Sequence, residues 1–156
     1  MTVIGIRRAV TDDLPAMKTL VDWGAGLGEL VPQTFSALKS RVEHFLVATD
    51  GDHVIGVCAL RPVDHEAGEL CSLVIRPDYQ RRGLGGRLVK ACLAMAGGQG
   101  IRLVIALTFH PEYFEQFGFR RIENEQVPSP IWQIYAEPDT RLSGSETALR
   151  YELGDV

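Results

Sequence analysis

LCSLVIRPDYQRRGLGGRLV, residues 70–89, decides how this chain is read. The stretch GELCSLVIRP, residues 68–77, is nearly all apolar and predicts a central strand. Gln80–Arg87 then holds three glycines and three arginines, and Leu88, Val89, Cys92, Leu93 and Ala96 follow at helical spacing. Glycine at such a junction costs backbone entropy and helix propensity. A strand, a glycine-rich turn and a helix point several backbone N–H groups at one spot, and the helix dipole adds positive potential, which suits phosphate oxygens. The charges agree: Arg76, Arg81, Arg82, Arg87 and Lys90 stand against the single acid Asp78, in a chain of formal net charge −4. A tight connection with no ligand is the alternative reading of the same glycines.

The neighbouring residues exclude two phosphate motifs. A Walker loop needs Lys-Ser/Thr where Gly86-Arg87 stands, and a dinucleotide fingerprint needs a third glycine where Leu88 stands.

Upstream, Val3–Arg8 reads as a strand, with Thr11 as the N-cap of a helix carrying Leu14, Met17, Leu20 and Val21. A second helix begins near Thr34, with Phe35, Leu38, Val42 and Phe45 on one face. FLVATD and HVIGVCAL flank Asp50-Gly51-Asp52, a hairpin signal, and RPVDHEAG is a further turn before the central strand. Downstream, GGQG (97–100) ends the crossover helix and IRLVIAL (101–107) is a buried strand of the same sheet. PEYFEQ is a short helix opened by Pro111, GFRRIE a strand and TALRYEL the last strand. PSPIWQIYAEPDTRLSGS (128–145) reads either as helix or as an irregular lid. The expected order is β-α-α-β-β-β-α-β-α-β-β, an α/β fold with a mixed sheet, and the expected organisation is one domain over residues 1–156.

With 46% hydrophobic and 23% charged residues, the composition is that of a soluble globular protein, and a pI of about 5.5 argues against non-specific nucleic-acid binding. Cys58, Cys71 and Cys92 lie in apolar surroundings without the close Cys/His groupings of a zinc site. Reduced thiols in a cytoplasmic protein are the expectation, with no metal and no membrane partner. The N-terminal apolar run is too short for a signal peptide, and no stretch approaches the ~18 apolar residues of a membrane span.

The segment from Leu70 to Val89 resembles the acetyl-CoA signature of the GNAT N-acetyltransferase superfamily, V/I-x-P-x-x-Q/R-x-x-G-x-G/A, through Ile75, Pro77, Gln80, Gly83 and Gly85. FEQFGF (114–119) resembles that family's closing helix and strand. The resemblance implies that Gln80 and the backbone of Arg81, Arg82, Gly83, Leu84, Gly85, Gly86 and Arg87 hold the diphosphate of coenzyme A. It implies that Leu73, Val74 and Ile75 line the pantetheine arm, with the Leu73 N–H as oxyanion donor. Phe114 and Phe117 then pack around the cofactor or the core.

Acetyl transfer to an amine needs a base, an oxyanion donor and a leaving thiolate. Glu69 is the base candidate, at the spacing seen in histone-type members; the plain alternative is a solvated glutamate at a strand start. The family's acidic tyrosine position is Phe114, so either Tyr113 substitutes or the thiolate leaves without a side-chain acid. ALRPVDHEAGELCSLVIRPDYQRRGLG with LVIALTFHPEYFEQFGF resembles the acetyltransferase domain of N-acetylglutamate synthases. That branch implies an amino-acid acceptor, glutamate possible, bound near Phe35, His44, Thr108 and His110. Its basic residues near the second helix are replaced by Pro32, Gln33 and Phe35, with His44, Lys39 and Arg41 close by. The leading expectation is therefore acetyl-CoA-dependent N-acetylation of a small amine. A protein or peptide N-acetyltransferase, and a non-catalytic acyl-CoA sensor, remain open beside it, and a homodimer is compatible with either.

Overall fold

The computed structural model describes residues 3–136 and 142–154. Among these, seven strands form one mixed sheet in the order β1-β2-β3-β4-β5-β7-β6. They are β1 (Ile4–Arg8), β2 (Phe45–Asp50), β3 (His53–Pro62), β4 (Ala67–Ile75), β5 (Leu103–Thr108), β6 (Arg120–Ile122) and β7 (Thr147–Glu152). Only the β4–β5 pair is parallel, as the crossover through α3 (Leu84–Gly98) requires. The central position expected for the strand at residues 68–77 is where β4 lies.

Helices cover both faces. α3 buries Leu88, Val89, Cys92, Leu93 and Ala96 against Leu46, Cys58, Leu70, Val104 and Ala106. The opposite face takes α1 (Leu14–Gly26) and α2 (Phe35–Ser40), through Met17, Leu20, Val21 and Leu38 on Val47, Val57 and Val74. Strand alternation sends Ile105 to this second face. There α5 (Ser129–Ile134) buries Ile131 against Ile105, Val127 and Ala148. α4 (Pro111–Glu115) starts at Pro111 and packs Phe114 beside Phe119 on the α3 side.

Three local expectations change. Thr11 does not cap α1: Thr11–Asp13 is a 3-10 turn, and the buried Asp13 carboxylate accepts from the Val10 N–H at 2.8 Å while pairing bidentately with Arg7. The second helix begins where expected, with Thr34 Oγ1 accepting from the Ala37 N–H, but it stops at Ser40. Val42–His44 is a 3-10 turn, and Phe45 opens β2 opposite Ala59. Sheet pairing overrides the helical periodicity there, so Phe35 stays 46% exposed while Phe45 is buried. Third, α3 runs through Gly97 and Gly98 before stopping. Segment 128–145 contributes α5, and its residues 137–141 lie outside the described residues. No helix among the described residues is long and apolar enough to cross a membrane.

Candidate active site

β4 pairs with β5 only from Ala67 to Glu69, against Leu103–Ile105. Beyond Glu69 the two strands part, and the edge of β4 facing β5 is left without a strand partner. The β3–β4 register shifts between Val57 and Ala59, so Ser72 and Leu73 together oppose Cys58. Ser72 carries this bulge at φ 56°, a left-handed conformation rare for a residue with a side chain. The Arg76 N–H donates to the Ile55 carbonyl at 2.8 Å, so alternation turns the Ile75 amide toward the open edge.

That edge forms one wall of a cleft of about 690 Å³, within the ~300–1,000 Å³ range of small-molecule sites. Its lining runs from Leu73, Val74 and Ile75 to Gln80, Arg81, Gly83, Leu84 and Gly85, and includes Trp23, Thr108, His110, Tyr113 and Phe114. Arg81 (φ 65°) and Gly83 (φ 77°) are both left-handed and flank Arg82, a geometry that gathers successive amides on one side. Gly83 is the N-cap of α3. The Gln80 side-chain amide donates to the Ile75 carbonyl at 2.9 Å and ties the loop to the strand.

The glycines do not share one purpose. A Cβ at Gly83 would meet nothing within 4 Å, so backbone conformation selects that residue. Gly85 and Gly86 lie inside α3 and make room for α4: a Cβ at Gly85 would overlap the Tyr113 hydroxyl, and one at Gly86 would come 2.9 Å from the Phe117 ring. Gly86, Phe117, Arg82 and Arg87 are not among the cleft-lining residues. Arg82 stacks on Tyr79 at 4.9 Å, and Arg87 reaches the Ile4 carbonyl.

A second cavity of about 280 Å³ lies on the α1/α5 face and is lined by charge: Arg41, Arg61, Glu69, Glu29 and Glu146, with Gln33, Cys71 and Tyr135. Glu69 and Arg61 are register partners on β4 and β3. Glu69 is 1% exposed, buried more completely than the sequence suggested. Burial pushes its carboxyl above the ordinary range, against the opposing pull of Arg61, the Tyr135 hydrogen bond and Arg41. Arg61 is partly buried, but Cys71, Glu69 and Tyr135 around it hold the guanidinium protonated. Arg61 Nε stands 3.9 Å from Glu69 Oε1, and both atoms are buried without a hydrogen-bond partner among the described residues. Arg41 donates to Gln33 Oε1, and Gln33 Nε2 donates to Ser72 Oγ at 2.9 Å, which anchors the bulge. Cys71 belongs to this charged pocket rather than to apolar surroundings: Arg61 Nη2 donates to its Sγ at 3.5 Å, and burial holds the thiol neutral.

The two cavities share Glu29, Leu30, Cys71, Ser72 and Leu107. They meet where β4 leaves β5. Thr108 and His110, expected at an acceptor site, line the cleft near this junction, and His110 Nε2 contacts Glu29 Oε2 at 2.7 Å. Phe35 and His44 line neither cavity; the early stop of α2 brings Arg41 to the pocket instead. Tyr113 lines the cleft with its hydroxyl over Gly85 and is absent from the shared wall. Arg61 and Tyr135 were not singled out in the sequence. Among the described residues, no group of three His, Cys, Asp or Glu side chains could hold a metal ion.

Comparison with known proteins agrees with this fold. The family described as acetyltransferase (GNAT) domain matches residues 41–121. An amino-acid acetyltransferase of Mycobacterium tuberculosis is 33% identical over 130 residues, covering 81% of this chain and 74% of that protein. An N-acetyltransferase of Chlorobaculum tepidum is 26% identical over 144 residues, 92% of this chain and 93% of its own length. A solved Mycobacterium tuberculosis protein in complex with CoA and NLQ superimposes with a TM-score of 0.83 at 28% identity, over 96% of this chain and 99% of that one. N-acetylglutamate synthase from Neisseria gonorrhoeae, complexed with coenzyme A and N-acetyl-glutamate, shares the fold with a TM-score of 0.88 at 23% identity. This chain spans 36% of that synthase.

Proposed function

The chain belongs to the GNAT acetyltransferase family, and from that premise we propose that it transfers the acetyl group of acetyl-CoA to the α-amine of an amino acid, glutamate included. The observation that carries the reading is the shared wall: a cleft shaped for a phosphorylated, extended donor opens beside a compact charged pocket suited to a zwitterion. Arg41 and Arg61 supply the cationic charge that Pro32, Gln33 and Phe35 do not. We take residues 1–156 as one such domain.

Each end of the donor has a match in the cleft. The left-handed pair Arg81 and Gly83, with the N-terminus of α3, suits the diphosphate of acetyl-CoA. The unpaired edge of β4 suits the amide-bearing pantetheine arm, leaving the Leu73 N–H to donate to the thioester oxygen as negative charge develops there. The acceptor's carboxylate goes to the arginines and its nitrogen to Glu69 Oε1. Glu69 takes a proton from the bound α-ammonium; the neutral amine then attacks, forming the C–N bond and the tetrahedral oxyanion, and its second proton follows the departing thiolate. A carboxylate whose pKa is raised by burial accepts the ammonium proton more readily than an ordinary one. Collapse breaks the C–S bond. A thiol pKa of ~8.5 lets the thiolate leave with little help, consistent with Tyr113 standing at Gly85. The neutral Cys71 thiol favours direct attack over an acyl-enzyme.

The test measures thiol release from acetyl-CoA with L-amino acids, each beside the amine left by its α-decarboxylation. The reading expects release with an amino acid and its loss with the matching amine. Equal turnover of the two would overturn the carboxylate-binding role of the arginine pocket.

A further inference from the structure

We propose that Tyr135 is a positioning residue for the acetyl-transfer reaction: it occupies one oxygen of Glu69, holds the carboxylate off Arg61 and leaves the other oxygen free for the acceptor amine. This rests on the reading of Glu69 as the base.

The geometry is specific. Ile131 anchors α5 in the core formed with Ile105, Val127 and Ala148, and Tyr135 at the end of that helix reaches over β4. Its hydroxyl donates to Glu69 Oε2 at 2.5 Å, and its ring lies 5.7 Å below the Arg61 guanidinium. It therefore touches both members of the buried pair. A guanidinium and a carboxylate on paired strand positions would ordinarily close into a bidentate salt bridge. Here the nearest approach is 3.9 Å, and Glu69 Oε1 and Arg61 Nε have no hydrogen-bond partner among the described residues. A bidentate Glu69 would turn a lone pair of each oxygen to Arg61 and leave neither oxygen free of the guanidinium. The tyrosine keeps Oε2 engaged and lets Arg61 rest on its ring, so Oε1 and Nε stay unengaged, buried in the wall of the pocket that Glu69 and Arg61 line. An acceptor amine and carboxylate satisfy those two atoms together. Burial and the neighbouring carboxylate push the Tyr135 hydroxyl up, so it stays a donor throughout the working pH range.

The other charged groups around Glu69 are Arg61 from β3, Arg41 from the end of α2 and the Cys71 thiol from β4. Glu29 and Glu146 line the same pocket, the latter held by Ser143 and Gly144. None of these changes in Tyr135→Phe, which keeps the ring beneath Arg61 and removes only the hydroxyl.

The experiment compares the pH profiles of kcat/KM for wild type, Tyr135→Phe and Glu69→Gln, with the acetyl-CoA KM measured for each. One hydrogen bond to a carboxylate that is lost raises its pKa by about one to two units. The acid limb of Tyr135→Phe should therefore move up by about that much, with activity down roughly tenfold near neutrality, partial recovery at higher pH and an unchanged acetyl-CoA KM. An unmoved limb in Tyr135→Phe, with the limb abolished in Glu69→Gln, overturns the positioning role alone. A pH-independent loss accompanied by a raised acetyl-CoA KM also overturns it, because that is damage to packing. If Glu69→Gln keeps both rate and acid limb, the base reading fails, and the role of Tyr135 fails with it.

Discussion

Substituting Gly85 by alanine separates two explanations of one glycine. If Gly85 exists for the backbone to approach a diphosphate, any side chain should spoil donor binding. The structure gives a different reason. A Cβ there would overlap the Tyr113 hydroxyl, while the next atoms, Tyr113 Cζ at 3.4 Å and Ile75 Cγ1 at 4.0 Å, make ordinary contacts. Overpacking of this kind costs about 1–3 kcal/mol, and replacing glycine by alanine inside a helix returns about 1 kcal/mol. Gly85→Ala alone should thus lose about 0–2 kcal/mol. In the Tyr113→Phe background the clash is gone and the same substitution should gain about 1 kcal/mol. The coupling between the two changes is then about 1–3 kcal/mol. At ~2–4 °C per kcal/mol for a chain of this size, the non-additivity in Tm is roughly 2–12 °C. Thermal unfolding of the four proteins reads it directly, and titration with acetyl-CoA completes the test. The double variant should bind acetyl-CoA within a few-fold of wild type, in keeping with the G/A choice at this motif position. Equal destabilisation by Gly85→Ala in both backgrounds, or a stable double variant that no longer binds, would refute the reasoning.

Three further outcomes follow from the same geometry. Gly83→Val should lose acetyl-CoA affinity far more than Gly83→Ala, because φ 77° strains a β-branched residue most while a Cβ meets nothing; equal effects in calorimetric titration would count against a conformational role. Alkylation at raised pH, where the Cys71 thiol that burial holds neutral can ionise, should label Cys71 before the fully buried Cys58 and Cys92, and acetyl-CoA or acceptor should slow it, as peptide mass mapping would show. Asp13→Ala should lose about 0.5–2 kcal/mol of stability, chiefly from the Val10 cap, since the half-exposed Arg7 arm of the pair is screened by solvent. The Arg7 hydrogen bond, aided by the Val10 N–H, holds the Asp13 pKa below that of the unfolded chain. Its stabilisation is therefore complete above about pH 4 and lost as pH falls through the folded-state value, so acid unfolding of Asp13→Ala should lack this component.

The parts of this molecule written in local pattern could be read from sequence. The buried run of β4, the helical face of α3 and the hairpin at Gly51-Asp52 depend on neighbours in the chain. Gly83 was legible for the same reason, since its left-handed cap is a property of one turn. Gly85 and Gly86 looked alike in sequence, but what fills their space comes from Tyr113 and Phe117 on a different helix. Arg61 carried a usable signal: it and Glu69 stand equally far from the centre of the turn after β3, which puts them side by side in a hairpin. Apolar spacing extends the expected helix to Phe45 and so points to His44 rather than Arg41, whereas pairing of Phe45 with Ala59 ends the helix at Ser40. Tyr135 had no such signal. It follows two prolines in a segment of weak periodicity, and only the docking of α5 on Ile105 and Ala148 brings it to Glu69.

The central claim is that the cleft and the charged pocket hold donor and acceptor on the two sides of one reaction. Its most direct test is to incubate the protein with acetyl-CoA and a mixture of L-amino acids and to follow thiol release and product mass together. The account predicts CoA thiol in step with an amino acid gaining one acetyl group on its α-nitrogen, and loss of both signals in Glu69→Gln. Tight acetyl-CoA binding with no acetylated amino acid would contradict it.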